Sequence, residues 1–433
     1  MIQSSGESGA EWRYLDADRP DGEFRLFAPP EPGHEYSFKH SGDYFYIRTN
    51  RGGAQNFKLM RTPVTATGIE HWEEVIPHRE DVLLEDFLVF RDRLVVVERK
   101  DGLVQVRIRP WSGESERYLD FGEPAYRVDV LAGDFDSNVL RYRYTSLTTP
   151  SSVYDYNMDT RETELVKREE VLGDFDPADY VSERLYAPAR DGVSVPVSIV
   201  YRKGIEKSGQ NPLLLYGYGT GTADTEFNSP LLSLIDRGFV YAIAHVRGGY
   251  ELGRQWAEDG SGLNKKNTFT DFIDVAEFLI SEGHANPDKV FAHGLSSGGL
   301  LMGAVANMRP NLFKGIVAQV PYVAVLDGSH GDLGDVSEED YYWYMLSYSP
   351  YDNVEAKGYP NMLVTAGFHD VMVPYWQPAK WVAKLRALKT DDNVLLLKTN
   401  MQAGHVGAPG RYEDWKETAL LFAFLLDLAG VKE

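Results

Sequence analysis

A serine lies between two glycines at the point where an apolar run of the sequence meets a run of small residues. Residues 289–292 predict a short strand, residues 294–298 (Gly-Leu-Ser-Ser-Gly) a tight turn, and residues 298–308 a helix. A strand, a sharp turn and a helix in this order need small residues beside the central serine, whose hydroxyl is then exposed at the carboxyl edge of a sheet. The pattern predicts that Ser296 is a catalytic nucleophile; the alternative is a purely structural glycine turn.

Two later strands lead into loops that carry an acid and a histidine. Residues 362–366 predict a strand followed by Asp370, and residues 394–399 predict one followed by His405. A serine hydroxyl is too weakly acidic to attack alone. His405 would take its proton and return it to the leaving group, while Asp370 would hold the imidazole tautomer. The chain order serine, acid, histidine fits this kind of site. The alternative histidines are His293, His330 and His369.

The negative charge that develops when a serine attacks a carbonyl needs hydrogen-bond donors that are already in place. The backbone N–H of Ser297, at the start of the predicted helix, is one candidate. The loop after the predicted strand at 212–216 supplies a second candidate, because Tyr218 could donate its phenol hydroxyl. The alternative for Tyr218 is a packed aromatic ring beside glycines that only shape a turn.

Strands and helices alternate from about residue 193 onward, and these are the elements that must position the candidate residues. Such alternation predicts an α/β-hydrolase fold, in which a mainly parallel, doubly wound sheet carries helices on both faces. The predicted strands are 193–201, 212–216, 240–246, 289–292, 315–319, 362–366 and 394–399, and the predicted helices are 270–281, 298–308, 378–388 and 412–428.

The region before residue 172 is predicted to be all-β. Alternating strands at 43–48, 94–98 and 139–144 recur about every 50 residues, a spacing typical of propeller blades. About three such blades are too few to close a ring, so the domain is predicted to be an incomplete propeller. The alternative is a β-sandwich or another antiparallel array. The predicted division is a propeller-like domain at 1–172, a linker at 173–192 and a hydrolase domain at 193–433.

Composition limits the classes of partner and cofactor. The 433 residues carry a formal net charge of −21 and include no cysteine. The acidic balance argues against nucleic acid and anionic membranes and is compatible with cationic substrates. The lack of cysteine excludes disulfides, thiolate catalysis and Cys-ligated zinc, and we predict neither a metal nor an organic cofactor. The N-terminus has no signal pattern and no apolar run reaches spanning length, so the predicted location is cytoplasmic.

Around the candidate residues the chain resembles the prolyl oligopeptidase family of serine peptidases, and within it the oligopeptidase B group. The resemblance covers nearly all of 180–430 and extends more weakly through the β-rich region. It implies a hydrolase domain capped by a propeller, with Ser296, Asp370 and His405 as the triad and Tyr218 as an oxyanion donor. The segments that carry it are 214–219, 244–249, 265–272, 294–298, 346–353 and 375–381.

The resemblance also implies a substrate class. The oligopeptidase B group cleaves after Arg or Lys, often at dibasic sites, and an acidic pair after the oxyanion tyrosine binds the second basic residue. Asp224 and Glu226 are the counterparts here, and the alternative is that both are solvated loop charges. The chain departs from the family pattern at two places that concern specificity. An acidic segment at 327–340 stands where the family has the stretch that binds the residue before the cleaved bond. Met372 stands where relatives have a polar or basic residue near the substrate.

We therefore predict a serine peptidase that hydrolyses short peptides after basic residues through an acyl-enzyme. One alternative is a carboxylesterase or acylaminoacyl-type hydrolase with an open site, and another is a non-catalytic binding scaffold. An incomplete array of blades leaves apolar faces that a second subunit can cover, so a homo-oligomer is a further expectation.

Overall fold

The computed structural model describes residues 2–6, 9–113, 115–131, 133–223, 225–328, 331–410 and 412–431. Two residues named above, Asp224 and His330, lie outside these ranges. Among the described residues, every helix is too short or too polar to span a bilayer.

Residues 2–168 form four consecutive antiparallel sheets, which together we call the β region. The first sheet has three strands (β1–β3), and the next three sheets have four strands each (β4–β7, β8–β11 and β12–β15), connected as simple meanders. The strands are β1 (Ile2–Gly6), β2 (Gly9–Tyr14), β3 (Arg25–Leu26), β4 (Tyr36–Ser41), β5 (Tyr44–Thr49), β6 (Lys58–Pro63), β7 (Glu73–Ile76), β8 (Leu83–Val89), β9 (Arg93–Lys100), β10 (Leu103–Pro110), β11 (Arg117–Tyr118), β12 (Tyr126–Val130), β13 (Val139–Ser146), β14 (Ser152–Asn157) and β15 (Thr163–Arg168).

The sheets of the β region pack face to face in series, and strand β9 shows why. Its residues alternate between two hydrophobic clusters: Leu94 and Val96 pack with the preceding sheet, whereas Val95 and Val97 pack with the following one. The sequence of a strand that is buried on both faces is a continuous apolar run, although successive side chains still point to opposite faces. The predicted all-β region of propeller-like repeats is therefore confirmed, and a three-stranded sheet precedes the three four-stranded ones.

Residues 180–431, which we call the hydrolase region, are built on an eight-stranded sheet in the order β16-β17-β19-β18-β20-β21-β22-β23. Strands β18 to β23 run parallel, and β17 is antiparallel to both of its neighbours. The strands are β16 (Tyr180–Pro188), β17 (Ser194–Arg202), β18 (Leu213–Gly217), β19 (Val240–Ala244), β20 (Val290–Leu295), β21 (Gly315–Gln319), β22 (Asn361–Gly367) and β23 (Leu395–Asn400).

The seven helices in the described part of this region cover both faces of the sheet, as the α/β-hydrolase prediction requires. One face packs mainly against α3, α4 and α6, and the other against α1 and α7. The predicted doubly wound fold is thus confirmed. The helices are α1 (Leu232–Ile235), α2 (Arg254–Glu258), α3 (Lys266–Ser281), α4 (Ser297–Met308), α5 (Glu339–Leu346), α6 (Trp376–Leu388) and α7 (Glu413–Ala429).

Part of the segment predicted as a linker, 173–192, forms an element of the sheet. Strand β16 pairs along its whole length with β17 at the edge of the hydrolase sheet. Val181, Leu185 and Ala187 face the core, but Glu183 interrupts the alternation of apolar and polar residues that would indicate a strand. We therefore propose that the boundary between the two regions lies before Tyr180.

The β region contacts segments that follow the carboxyl ends of the parallel strands, namely helix α2 after β19 and the stretch after β18. Arg254 pairs with Glu35 at 2.7 Å, and the Gln55 amide donates to Glu258 at 2.9 Å. The backbone N–H of Phe227 donates to Thr145 Oγ1 at 3.0 Å. In parallel sheets this edge is where binding residues collect, so the β region lies beside the candidate site.

Candidate active site

Ser296 lies at the turn between β20 and α4. Its backbone has φ 56° and ψ −115°, a conformation that non-glycine residues rarely adopt and that is found at functional turns. A Cβ atom on Gly294 would lie 2.3 Å from the carbonyl oxygen of Gly298, so a side chain does not fit there. The glycine at 294 is therefore required by the close approach of the turn's own backbone.

His405 bridges Ser296 and Asp370. The distance from His405 Nε2 to Ser296 Oγ is 3.0 Å, and that from His405 Nδ1 to Asp370 Oδ2 is 2.7 Å. With the proton on Nδ1 donated to the carboxylate, Nε2 is free to accept the serine proton. The structure brings together the three residues that the sequence nominated. Of the alternative histidines, the two that the structure describes have other contacts: His293 bonds to Gln319, and His369 packs against Phe368.

Asp370 is held by backbone groups of its own loop. Its Oδ1 atom accepts the N–H groups of Met372 at 2.9 Å and Val373 at 2.8 Å, which leaves Oδ2 for the histidine. The Asp370 side chain is fully buried. A buried carboxylate with fixed donors orients the imidazole and stabilises the imidazolium that forms during proton transfer.

The acid loop and the histidine loop are joined through their backbones. A Cβ atom on Gly367 would lie 2.4 Å from the carbonyl oxygen of Gly404. The N–H of His369 also donates to the carbonyl of Ala403 at 2.9 Å. Because the loops follow neighbouring parallel strands, β22 and β23, this contact sets the distance between Asp370 and His405.

Both predicted oxyanion donors lie at the serine turn. Ser297 is the first residue of α4, where backbone N–H groups have no partner within the helix. The backbone and ring of Tyr218 lie against Gly298, since a Cβ atom there would be 3.4 Å from Tyr218 Cα and Cδ2. It would also be only 2.6 Å from the carbonyl oxygen of Gly217. The glycine at 298 thus allows the end of β18 to reach the nucleophile.

Two cavities open beside these residues. One of about 740 Å³ is lined by Tyr218 and Glu226, and one of about 250 Å³ is lined by His405. Both are bordered by Leu295, the residue before the nucleophile. The space is large enough for the side chains of a short peptide on both sides of the serine turn.

Glu226, the described member of the predicted substrate-binding pair, already has a cationic partner. Its Oε1 atom lies 2.6 Å from Nη1 of Arg127 on β12, and Arg127 also contacts Asp129. The Glu226 side chain is 45% exposed. The structure therefore places this carboxylate at the cavity and, at the same time, in a contact between the β region and the hydrolase region.

The acidic segment at 327–340 is partly neutralised by lysines. Asp327 pairs with Lys380 at 2.5 Å, and Asp332 Oδ2 lies 3.7 Å from Lys265 Nζ. The side chain of Met372, by contrast, is 63% exposed beside the triad acid. This part of the site offers fewer free carboxylates than the sequence suggests.

A buried polar network beside strand β17 and the end of β19 was not predicted from the sequence. His245 Nε2 bonds to Ser198 Oγ at 2.8 Å, and Glu251 Oε1 accepts the N–H of Ala223 at 2.7 Å. Arg247 forms a buried ion pair with Asp271. The local signal is the pair His245 and Arg247, which follows the apolar strand β19.

The buried histidine predicts an acid sensitivity. Burial, with a smaller contribution from Arg184, lowers the pKa of His245 to about 4 from its ordinary value of 6.5. Below pH 6.5 the unfolded chain gains a proton that the folded chain does not take up until about pH 4. Between pH 6.5 and about pH 4 the free energy of unfolding should therefore decrease as the pH is lowered. At pH 5 this loss should be about 2 kcal/mol.

Urea unfolding of His245→Gln at pH 7.5 and pH 5 tests this expectation. The variant should lose about 2 kcal/mol less stability than the wild-type protein between the two pH values. His40→Gln, at an exposed position, is the control and should behave as wild type. Equal losses in the wild type and His245→Gln would contradict the assignment.

Family models match most of the chain. The model described as the prolyl oligopeptidase N-terminal beta-propeller domain matches residues 1–169, and that of the prolyl oligopeptidase family matches residues 225–432. Dipeptidyl aminopeptidase BI of Pseudoxanthomonas mexicana is 44% identical over 98% of this chain and 60% of that protein. Protease 2 of Moraxella lacunata is 42% identical over 100% of this chain and 64% of that protein.

A solved structure agrees with the sequence comparisons. Oligopeptidase B from Leishmania major superposes with a TM-score of 0.92 at 39% identity, over 99% of this chain and 63% of that one. The chain thus spans between three fifths and two thirds of the length of these relatives. Matches in both the β region and the hydrolase region, together with the shared fold, show that this chain belongs to the prolyl oligopeptidase family.

Proposed function

We propose that this chain carries the catalytic site of a serine peptidase that hydrolyses short peptides through an acyl-enzyme. The observation that supports it most directly is the hydrogen-bonded series from Ser296 through His405 to Asp370. A nucleophile, a base within hydrogen-bond reach and a buried acid that orients the base are the parts that acyl transfer needs.

The proposed reaction runs in two halves. Ser296 Oγ bonds to the substrate carbonyl carbon while His405 Nε2 accepts its proton, and the carbonyl electron pair moves onto oxygen. The Ser297 N–H and the Tyr218 hydroxyl stabilise that oxyanion. His405 then donates the proton to the leaving amine as the C–N bond breaks. Water repeats the sequence on the acyl group, releasing the acid and restoring Ser296.

The proposed substrates are peptides with basic residues before the cleaved bond. Glu226 lines the larger cavity together with Tyr218, and the chain has a net charge of −21. A carboxylate in a cleft suits a guanidinium or an ammonium group. The role of Asp224 stays a prediction. Glu226 borders this cavity, whereas Asp327 and Asp332 line neither of the two cavities, which favours recognition through Glu226.

A second candidate, an esterase or acylaminoacyl-type hydrolase, is favoured by the apolar rim of the site. Val371 and Val406, next to the acid and the histidine, have exposed fractions of 91% and 92%. An apolar, open rim suits an uncharged acyl group better than an arginine side chain. The homo-oligomer and the cytoplasmic location also stay predictions.

Replacing Glu226 by glutamine tests the proposed peptidase activity together with its preference for basic residues. The wild-type protein should cleave an Arg-Arg reporter with a higher kcat/KM than an Ala-Arg reporter or a p-nitrophenyl ester. Glu226→Gln should lower kcat/KM for Arg-Arg about 10-fold and leave the other two within about twofold, because only the first places a cation at this carboxylate.

The control for this experiment is Glu258→Gln, another carboxylate at the contact between the two regions. It should leave the ratio of the Arg-Arg and Ala-Arg rates unchanged. A wild-type protein that cleaves the ester but neither peptide would favour the esterase. Equal losses on all three substrates would show that Glu226 supports the fold and does not select the substrate.

A further inference from the structure

A lysine is buried in an unfavourable position at the start of helix α3. Lys265 is 2% exposed and precedes the 16-residue helix α3. An ammonium group pays a large desolvation penalty when buried, and the positive end of a helix dipole disfavours it further. Burial lowers the pKa of Lys265 to about 8, in line with this penalty. A cation in such a place needs specific partners.

Those partners belong to two functional segments. Lys265 Nζ donates to the carbonyl oxygen of Gly219 at 2.6 Å, and it lies 3.7 Å from Asp332 Oδ2. Gly219 directly follows Tyr218 in residues 217–221, which we call the Tyr218 loop. Asp332 belongs to the acidic segment at 327–340. The ammonium group therefore joins the loop of the oxyanion donor to the acidic segment beside the site.

The Tyr218 loop is closely packed around that carbonyl. A Cβ atom on Gly219 would lie 2.3 Å from Thr268 Cγ2, and one on Gly248 would lie 2.3 Å from the Gly219 oxygen. Within the described part of the chain, the Tyr218 hydroxyl makes no hydrogen bond, so its position depends on the backbone that carries it. The hydrogen bond from Lys265 fixes the Gly219–Thr220 peptide group, one residue after Tyr218.

We propose that Lys265 is a positioning residue for the oxyanion hole, acting through the Gly219 carbonyl to hold the Tyr218 hydroxyl where negative charge develops. This inference rests on the proposed function, since it presupposes acyl transfer at Ser296. A charge-assisted hydrogen bond is about twice as strong as a neutral one, which suits a loop that must stay in place. Displacement of a donor by about 1 Å can lower a rate about 100-fold.

A double-mutant cycle between Lys265 and Tyr218 tests the inference. Lys265→Met should lower kcat on the Arg-Arg reporter 10- to 100-fold with KM within about threefold, because the donor acts in the transition state. Tyr218→Phe should lower kcat by a similar factor. If Lys265 acts through the tyrosine, the double variant should be at most about threefold slower than Tyr218→Phe alone.

Three further measurements complete the test. Lys266→Met removes the neighbouring charge, whose ammonium lies over the Tyr344 ring, and should behave as wild type. Lys265→Gln keeps a neutral donor; it serves if the methionine variant does not fold, and should show the same dependence on Tyr218. The melting temperature of each variant reports its folding.

The labelling of Ser296 by a fluorophosphonate probe separates the two possible failures. If the wild-type protein is not labelled, the proposed function falls and this inference falls with it. If the wild type is labelled but the Lys265 and Tyr218 effects multiply, or Lys265→Met raises only KM, the positioning role is overturned while acyl transfer at Ser296 stands.

Discussion

Ser296→Ala is expected to abolish turnover, lowering kcat by about 10⁴- to 10⁶-fold. The hydroxyl oxygen is the atom that bonds to the substrate, and among the described residues it is the hydroxyl to which His405 Nε2 is hydrogen-bonded. The fold should be retained, because the N–H of residue 296 still donates to the carbonyl of Gln319 at 2.9 Å. The free energy of unfolding should change by less than about 1 kcal/mol.

The neighbouring serine provides a matched control for this substitution. Ser297→Ala removes a hydroxyl one residue away and keeps the backbone N–H assigned to the oxyanion. Its kcat should stay within about threefold of wild type. Reporter hydrolysis and mass spectrometry of the fluorophosphonate adduct measure both variants. Full activity in Ser296→Ala, or an adduct mapped to Ser297, would refute the assignment of the nucleophile.

Asp370→Asn is expected to lower kcat about 10³- to 10⁴-fold with little change in KM. The amide oxygen of asparagine can still accept the N–H groups of Met372 and Val373, so the loop keeps its shape. Its NH₂ group would then face His405 Nδ1 and favour the tautomer with the proton on Nε2. That tautomer points a proton at Ser296 Oγ and cannot act as the base.

His369→Gln is the control for the acid substitution, because it changes the residue beside Asp370 and removes one of the alternative histidines. It should retain wild-type kcat, whereas His405→Gln should lose activity as Asp370→Asn does. Steady-state kinetics with the melting temperature of each variant separate catalysis from folding. A large loss in His369→Gln with an active His405→Gln would reverse the assignment of the base.

Local patterns predicted seven strands and four helices of the hydrolase region and nominated the candidate triad, whereas β16 and the short helices α1, α2 and α5 were not predicted. Each of Ser296, Asp370 and His405 follows a strand in the sequence, and parallel strands bring their carboxyl ends to one edge. The apolar runs of β9 and β20 also predicted strands, because the length and hydrophobic period of an apolar run are local features of the sequence. Strand β16 was missed because Glu183 and Arg184, whose partners lie on other elements, hide its alternation.

Contacts between distant residues needed the folded chain. Arg127 and Glu226 are 99 residues apart, and Lys265 and Gly219 are 46 apart, so no local spacing indicates either pair. Sequence patterns report which face of an element is apolar, whereas the partner of a charge depends on how sheets and loops stack. For this reason the residue types were enough to suggest acyl transfer at Ser296. Which carboxylates remain free for a substrate, and what holds Tyr218, followed only from the packing of the β region and α3 around the serine turn.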